Sequence, residues 1–325
     1  MTNPVSQNIL VTGGAGFIGS SLIPVLLSRG YKVSAVDRLS PAKKQNLDPL
    51  LSLDNFKFIE LDLLDFDKLK EVVKEYDIIY HLAASAEVRK GQFDTSIDYL
   101  NNVVATRNLL ESMRSVERSK KIIFTSSSVV YGEASSTPTF ENYGPLKPIS
   151  LYGASKLASE ALISGYVGTF GIQAVIFRFA NIVGPSSSRG VIYDFFRKLK
   201  ESDGKYLEIL GDGKQKNSYL YIDDCINALI LGLDQLGPGL EIFNIGSEDQ
   251  IDTNNIAQII IAELGLETVI RYSSDEKDGR GWPGDVKNML LSTDRIKKTG
   301  WKNSHSSKDS VYLTVKNIVQ QYQNN

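Results

Sequence analysis

The sequence has little of what builds covalent frameworks and most metal centres: its 325 residues include one cysteine, Cys225, and two histidines, His81 and His305. One cysteine excludes an intrachain disulfide framework, and two distant histidines leave little for a metal site or a histidine-based triad. A basic excess is also missing, since 36 Lys and Arg stand against 38 Asp and Glu for a net charge of -2. That balance argues against nucleic acid or an anionic membrane as the main partner, so any anion must be bound locally. No apolar run reaches the ~18 residues of a membrane span. The opening MTNPVSQN lacks the basic start and apolar core of a signal peptide, and the expected compartment is the cytoplasm. Repeats, low-complexity tracts and charge blocks are absent too.

What remains is an ordinary globular composition, 42% hydrophobic and 23% charged. The length exceeds the ~250–300 residues at which single cores stop growing, so one large domain with an appended lobe is expected. NILVTG (8–13), YKVSAVD (31–37), FKFIELD (56–62), DIIYHLA (77–83), KIIFTSS (121–127) and AVIFRFA (174–180) read as strands buried on both faces. Helices are predicted between them over 17–29, 67–75, 95–118 and 152–170. This alternation specifies an α/β fold, a Rossmann-like doubly wound parallel sheet. Beyond residue 181 turn-rich pieces separate helices near 191–202, 223–236, 252–264 and 308–323, so a smaller C-terminal α/β substrate lobe is expected. The predicted division is 1–181 for the dinucleotide domain and 182–325 mainly for the lobe, with some late segments returning to the first domain.

Ligands of such folds bind outside the carboxyl ends of the strands. The first of these ends is VTGGAGFIGS, where Gly13, Gly14, Gly16 and Gly19 leave a strand and open a helix. Glycines permit the tight turn and let a pyrophosphate approach the backbone, where N–H groups and the helix dipole hold it. The second strand ends at Asp37, whose carboxylate is placed to accept ribose hydroxyls and to repel a 2'-phosphate. This acid favours NAD, whereas Arg38 after it would suit the phosphate of NADP. Asp62, ending the third strand, is placed at the adenine edge or is a solvated loop acid. Ala83 and Ala84 in HLAAS let a dinucleotide lie close above the sheet, and His81 reads as a buried strand histidine.

Tyr152 and Lys156 in SLYGASK lie four apart on a helix and share a face. An adjacent ammonium favours the phenolate and makes tyrosine a general base near neutral pH. Ser126, Ser127 and Ser128 end the fifth strand and offer hydroxyls to orient a substrate alcohol between the tyrosine and a nicotinamide.

With TGGAGFIG, Asp37, Asp62, HLAA, the NNV of Asn101 to Val103, SSSVVYG, LYGASK, RFANIVGP, LGDGKQ, YLYIDD, FNIGS and GWPGDV, essentially the whole chain resembles the extended short-chain dehydrogenase/reductase family. Within it the resemblance is to NAD-dependent nucleotide-sugar epimerases of the UDP-glucose 4-epimerase type. It implies Ser127 and Tyr152 as the hydroxyl pair of proton transfer and Lys156 as the residue that binds the nicotinamide ribose and tunes the tyrosine. Phe17 and Ile18 are implied at the pyrophosphate, and Leu63, Leu82 and Asn101 as further cofactor contacts. Asn181 is implied at the sugar-nucleotide diphosphate, Val191 beside it, and LEILGDG around the uracil. Asn217 replaces a frequent arginine and Trp282 precedes PGD, so Lys216 and Arg280 are the expected phosphate-binding cations. Ala86 and Ala180 also depart from residues found in some members.

Ser128 and Val129 occupy positions where the family's 4,6-dehydratases and decarboxylases resemble one another in carrying acids. Without an acid there, elimination from a 4-keto sugar lacks its acid/base partner, and transfer of a hydride out and back is what remains. Open alternatives are an epimerase of a uronic or N-acetylated sugar nucleotide, an NAD-dependent alcohol or threonine dehydrogenase, and a redox-sensing binding protein on the same scaffold. The resemblance also implies a homodimer formed by the helices from Thr95 and Tyr152.

Overall fold

The computed structural model describes residues 7–38, 45–86, 88–116, 120–273 and 278–323. In chain order its strands are β1 (Asn8–Thr12), β2 (Lys32–Asp37), β3 (Phe56–Glu60), β4 (Ile78–His81), β5 (Lys121–Ser127), β6 (Gln173–Phe179), β7 (Asn181–Val183), β8 (Tyr206–Leu210), β9 (Lys216–Asn217), β10 (Tyr219–Tyr221), β11 (Leu240–Ile245), β12 (Ile251–Asp252), β13 (Val269–Ser273) and β14 (Asn288–Met289). Its helices of eight residues or more are α1 (Phe17–Ser28), α2 (Phe66–Val73), α3 (Ala105–Arg114), α4 (Leu151–Phe170), α5 (Val191–Glu201), α6 (Ile222–Asp234), α7 (Thr253–Glu263) and α8 (Ser307–Gln323).

The sheet runs β3-β2-β1-β4-β5-β6-β11, with parallel pairing at β2–β3, β1–β2, β1–β4 and β4–β5. β1, β4 and β5 are almost wholly buried, as their continuous Val and Ile runs require of strands covered on both faces. Chain order reverses between β1 and β4. The crevice outside their carboxyl ends is where such sheets take a ligand.

Two compact units divide the chain, and both are discontinuous. One comprises residues 1–130, 151–178 and 226–243; the other comprises 131–150, 179–225 and 244–325. The first contains a core of Leu10, Ile79, Leu109, Ile122 and Ile176, among others. The second has its own core around Phe195, Leu207, Ile256 and Val315, beside the two-stranded sheets β7–β10 and β8–β13. A cooperative core in each explains how so long a chain folds without one oversized interior.

The predicted helix over 95–118 is interrupted. A short turn at Ser96–Asp98 runs into a π-helix at Tyr99–Val104 before α3 begins, and the expected end at Arg118 lies outside the described residues, as does MTNPVS. A π turn inserts a residue into the helical repeat and is a frequent mark of a functional site. Among the described residues no helix is long and apolar enough to cross a membrane.

Candidate active site

The glycine turn joins β1 to α1 under steric limits that only glycine meets at its first position. Gly13 has φ +71°, and a methyl group there would lie 2.7 Å from the Ala83 backbone nitrogen at the end of β4. Gly13 N donates to Val36 O at 2.8 Å and Gly16 N to Gly13 O at 3.0 Å, closing the turn. Gly16 caps α1 without a side-chain hydrogen bond, and the first-turn amides of Phe17 and Ile18 lack intrahelical acceptors. Gly19 is buried against Gly13 and Gly14, bringing α1 onto the turn.

Asp37 ends β2, buried, and its Oδ2 accepts from Ala15 N at 3.2 Å. The acid is therefore fixed beside the glycine turn. Arg38 turns instead to Asp62, with Nη1 to Oδ2 at 3.2 Å, while Asp62 Oδ1 accepts from Leu64 N at 2.9 Å. Leu63 is buried, and its carbonyl accepts from Asn108 Nδ2 at 3.1 Å. Leu82 N donates to Thr12 O at 3.1 Å and Ala83 N to Thr12 Oγ1 at 3.3 Å, while Ala84 is half-buried at the same end.

Beside this cradle β5 and the start of α4 bring Ser127, Tyr152 and Lys156 together. Of the three serines only Ser127 is half-exposed; Ser126 and Ser128 are buried. The Tyr152 hydroxyl is hydrogen-bonded by the Ser127 side chain, which favours the phenolate. Burial and the Asp98 charge act the other way and raise the tyrosine well above the ordinary phenol value. Lys156 follows one turn later on α4. Its Nζ donates to Thr125 O at 2.9 Å, lies 4.7 Å from the Phe124 ring centroid and stands 6.0 Å from the Tyr152 ring centroid. Lys156 is itself pushed down to about 8 by burial, against the pull of Glu160 and Asp98. Desolvation thus outweighs the hydrogen bond at Tyr152 and the neighbouring acids at Lys156.

Several supporting residues stand outside the predicted site set. Asn102, buried on the π turn, accepts from Ser85 N at 2.8 Å and donates to Ser155 Oγ at 2.8 Å, tying the loop after β4 to α4. Its neighbour Asn101 donates to Ile97 O at 2.7 Å within its own helix. Glu160, one turn beyond Lys156, is gripped by Arg178 of β6 at 2.6 Å, with both side chains 5% exposed. His81 bridges Thr12 Oγ1 at 2.8 Å and Thr106 Oγ1 at 3.0 Å, and burial drives its pKa down to about 3. It is a neutral structural crosslink. Paired polarity such as Glu160 with Arg178 is visible in a sequence only once the strand and helix are known to face each other.

The second unit holds the remaining candidates. Asn181 begins β7, exposed, with its backbone amide donating to Ser218 O at 3.2 Å. Val191 opens α5 behind Gly190, which has φ +87° and leaves that helix start uncapped. Lys216 is exposed on β9. Arg280 is engaged by acids, with Nη2 2.7 Å from Asp278 and 3.8 Å from Glu133, and these partners raise its pKa. A phosphate at Arg280 would have to share the guanidinium with Asp278. Among the described residues no group of three or more His, Cys, Asp or Glu could hold a metal ion.

Residues 9–246 match the NAD dependent epimerase/dehydratase family. A UDP-glucose 4-epimerase of Mycolicibacterium smegmatis is 30% identical over 94% of this chain and 96% of its own. The crystal structure of a Bacillus cereus UDP-glucuronic acid 4-epimerase, in complex with UDP-glucuronic acid and NAD, superposes with a TM-score of 0.86 at 31% identity, covering 97% of this chain and all of that one. A UDP-N-acetyl-alpha-D-glucosaminuronate decarboxylase of Bacillus cytotoxicus is 36% identical over 79% of this chain and 80% of its own. The chain belongs to the NAD dependent epimerase/dehydratase family.

Proposed function

We propose that this protein inverts C4 of the sugar of a UDP-sugar, with UDP-glucose and UDP-galactose as the first pair to test. The observation that carries the reading is the Ser127–Tyr152–Lys156 arrangement followed by Ser128 and Val129, which supply no carboxyl group. An eliminating or decarboxylating relative needs a further acid or base beside the 4-keto sugar; a hydride transfer reversed on the opposite face needs none.

NAD fits the cradle. Gly13 lets the turn after β1 close tightly against the end of β4, α1 opens at Gly16 with no side-chain cap, and Asp37 stands at the end of β2 for the ribose. Held there, NAD would supply a reversible hydride acceptor for C4 of the sugar. Tyr152 takes the proton of the 4-hydroxyl, with Ser127 orienting that hydroxyl. After the keto sugar turns about its diphosphate linkage, Tyr152 gives the proton back to the oxygen, so the base ends each cycle as it began. Lys156 keeps a positive charge beside the phenolate as it forms. Asn181, Val191, Lys216 and Arg280 are the proposed substrate contacts of the second unit.

Incubation with UDP-glucose, UDP-galactose, UDP-glucuronic acid and their N-acetylated counterparts, with product identification, tests the reading. Interconversion of 4-epimers without net NADH supports it, and Tyr152→Phe should reduce turnover by at least ~100-fold. Net NADH from an alcohol, carbon dioxide release, or a 6-deoxy product would sink it. The exposed Tyr99, Leu100 and Phe170 along the π turn and α4 support pairing with a second copy, which solution mass decides. The proposed compartment is the cytoplasm, to be checked by cell fractionation.

A further inference from the structure

The histidine of the HLAA segment has no role in the reaction above, yet its ring is the middle link of a continuous hydrogen-bond path. At the cofactor end, the Ala83 nitrogen, against which Gly13 closes, donates to Thr12 Oγ1 at 3.3 Å. Thr12 Oγ1 lies 2.8 Å from His81 Nδ1, and His81 Nε2 lies 3.0 Å from Thr106 Oγ1. Thr106 Oγ1 donates to the Asn102 carbonyl in the π-helix at 2.5 Å. The Asn102 side chain carries the path on to α4: it donates to Ser155 Oγ at 2.8 Å, and Ser155 Oγ donates to the Tyr152 carbonyl at 2.8 Å. Thr12, His81 and Thr106 are fully buried, so a bond cut there leaves a polar group unpaired.

The hydrogens of this path run one way. A carbonyl oxygen only accepts, so the single hydroxyl hydrogen of Thr106 goes to Asn102, and the Thr106 oxygen must accept from His81 Nε2. Burial and the Lys156 charge hold the ring neutral, with its pKa down at about 3. Nδ1 therefore accepts from the Thr12 hydroxyl, whose oxygen is left to accept from Ala83 N. Imidazole suits the place because, uncharged, it offers one donor and one acceptor on a rigid ring.

We propose that His81 is a positioning residue for the reaction: through this path it fixes the cofactor cradle at the end of β4 relative to the first turn of α4, which carries Tyr152. The inference rests on the reading of Tyr152 as the base and of the glycine turn as the NAD cradle. Tyr152 must meet the sugar 4-hydroxyl while C4 faces the cradle, so the two seats must keep one spacing. A misplacement of about 1 Å costs on the order of 100-fold in rate.

Two variants cut the path at opposite ends. In His81→Asn the shorter amide keeps an acceptor for Thr12 and no longer reaches Thr106; in His81→Gln the longer one keeps a donor for Thr106 and leaves Thr12. Both should lower kcat per bound NAD by about 10–100-fold. The KM for a sugar nucleotide should hold within about threefold, because the proposed substrate contacts lie in the second unit. Thr106→Val should lose as much by itself and nothing further in His81→Asn, where its bond is already cut. Amide hydrogen exchange needs no turnover: peptides over 82–85 and 151–156 should exchange faster together in each variant, with α2 at the parent rate. Unmoved kcat, losses that add, or exchange that rises uniformly would overturn the inference, the last two by making His81 a packing residue only. If the parent turns over no sugar nucleotide but exchange rises together at 82–85 and 151–156, the inference stands and the proposed reaction fails. Should the asparagine variant not fold, His81→Gln with Thr12→Val gives the same cycle from the other end.

Discussion

The close approach of β1 and β4 at the cofactor cradle predicts a large penalty for one methyl group. In Gly13→Ala the new Cβ would lie 2.7, 2.8 and 2.9 Å from Ala83 N, Ala83 Cα and Leu82 C, all backbone atoms of β4's end. None can swing away as a side chain would. The left-handed φ of +71° costs about 1–2 kcal/mol for a residue with a Cβ. Overpacking against backbone adds about 1–3 kcal/mol, for a sum of ~2–5 kcal/mol. Gly30→Ala is the control, since Gly30 has φ +86° but nothing within 4 Å of its Cβ position. It should lose only the conformational part, offset by about 0.4–1 kcal/mol from a stiffer unfolded chain. Urea midpoints at constant m-value compare the two directly. Gly13→Ala should also copurify with less NAD, because relief of the clash must part the strand ends beneath the pyrophosphate. Equal losses in the two variants would refute the close approach of the strands.

Glu160→Gln leaves Arg178 buried beside an uncharged amide and should destabilise by about 3–5 kcal/mol, whereas Glu160→Met with Arg178→Met should lose much less. If the double variant falls as far as the single one in denaturant titration, Arg178 is needed for other contacts. Acid should weaken the fold through His81: its unfolded value is 6.5 and its folded value about 3, so the unfolded chain binds the extra proton and stability declines as pH falls through that window. A variant with Gln at position 81 should show a shallower decline there. Lys156 works in the opposite range. Its folded value of about 8 lies below 10.5, so stability should rise with pH between these values, and Lys156→Met should abolish the rise. Cys225 is fully buried with its thiol pushed up by desolvation, so thiol reagents should label it only on unfolding; rapid labelling of native protein would contradict that burial.

The sheet was legible because the fold obeys a short-range rule: strands buried on both faces must be continuously apolar, and helices between them must cover both sides. The glycine turn and Asp37 were legible because both lie within one strand–turn–helix–strand run, whereas the approach of Gly13 to Ala83 after β4 was not. Tyr152 and Lys156 share a helix face by spacing alone. Legibility fails where the deciding quantity is burial or a pairing across distant segments. Spacing says that Lys156 is near Tyr152, but not that its ammonium donates to Thr125 O, nor that burial lowers the lysine itself. Asn102 sits in a stretch that the 3.6-residue repeat reads as one helix over 95–118, and the π turn that carries it to Ser155 of α4 leaves no mark in hydrophobic periodicity. Asn101 illustrates the consequence. The NNV motif identifies two adjacent asparagines, yet only Asn102 is buried and tied to α4, because the added residue of a π turn rotates every later side chain around the axis. Where a helix departs from its regular repeat, a motif locates the region of a site but not the side chain that faces it.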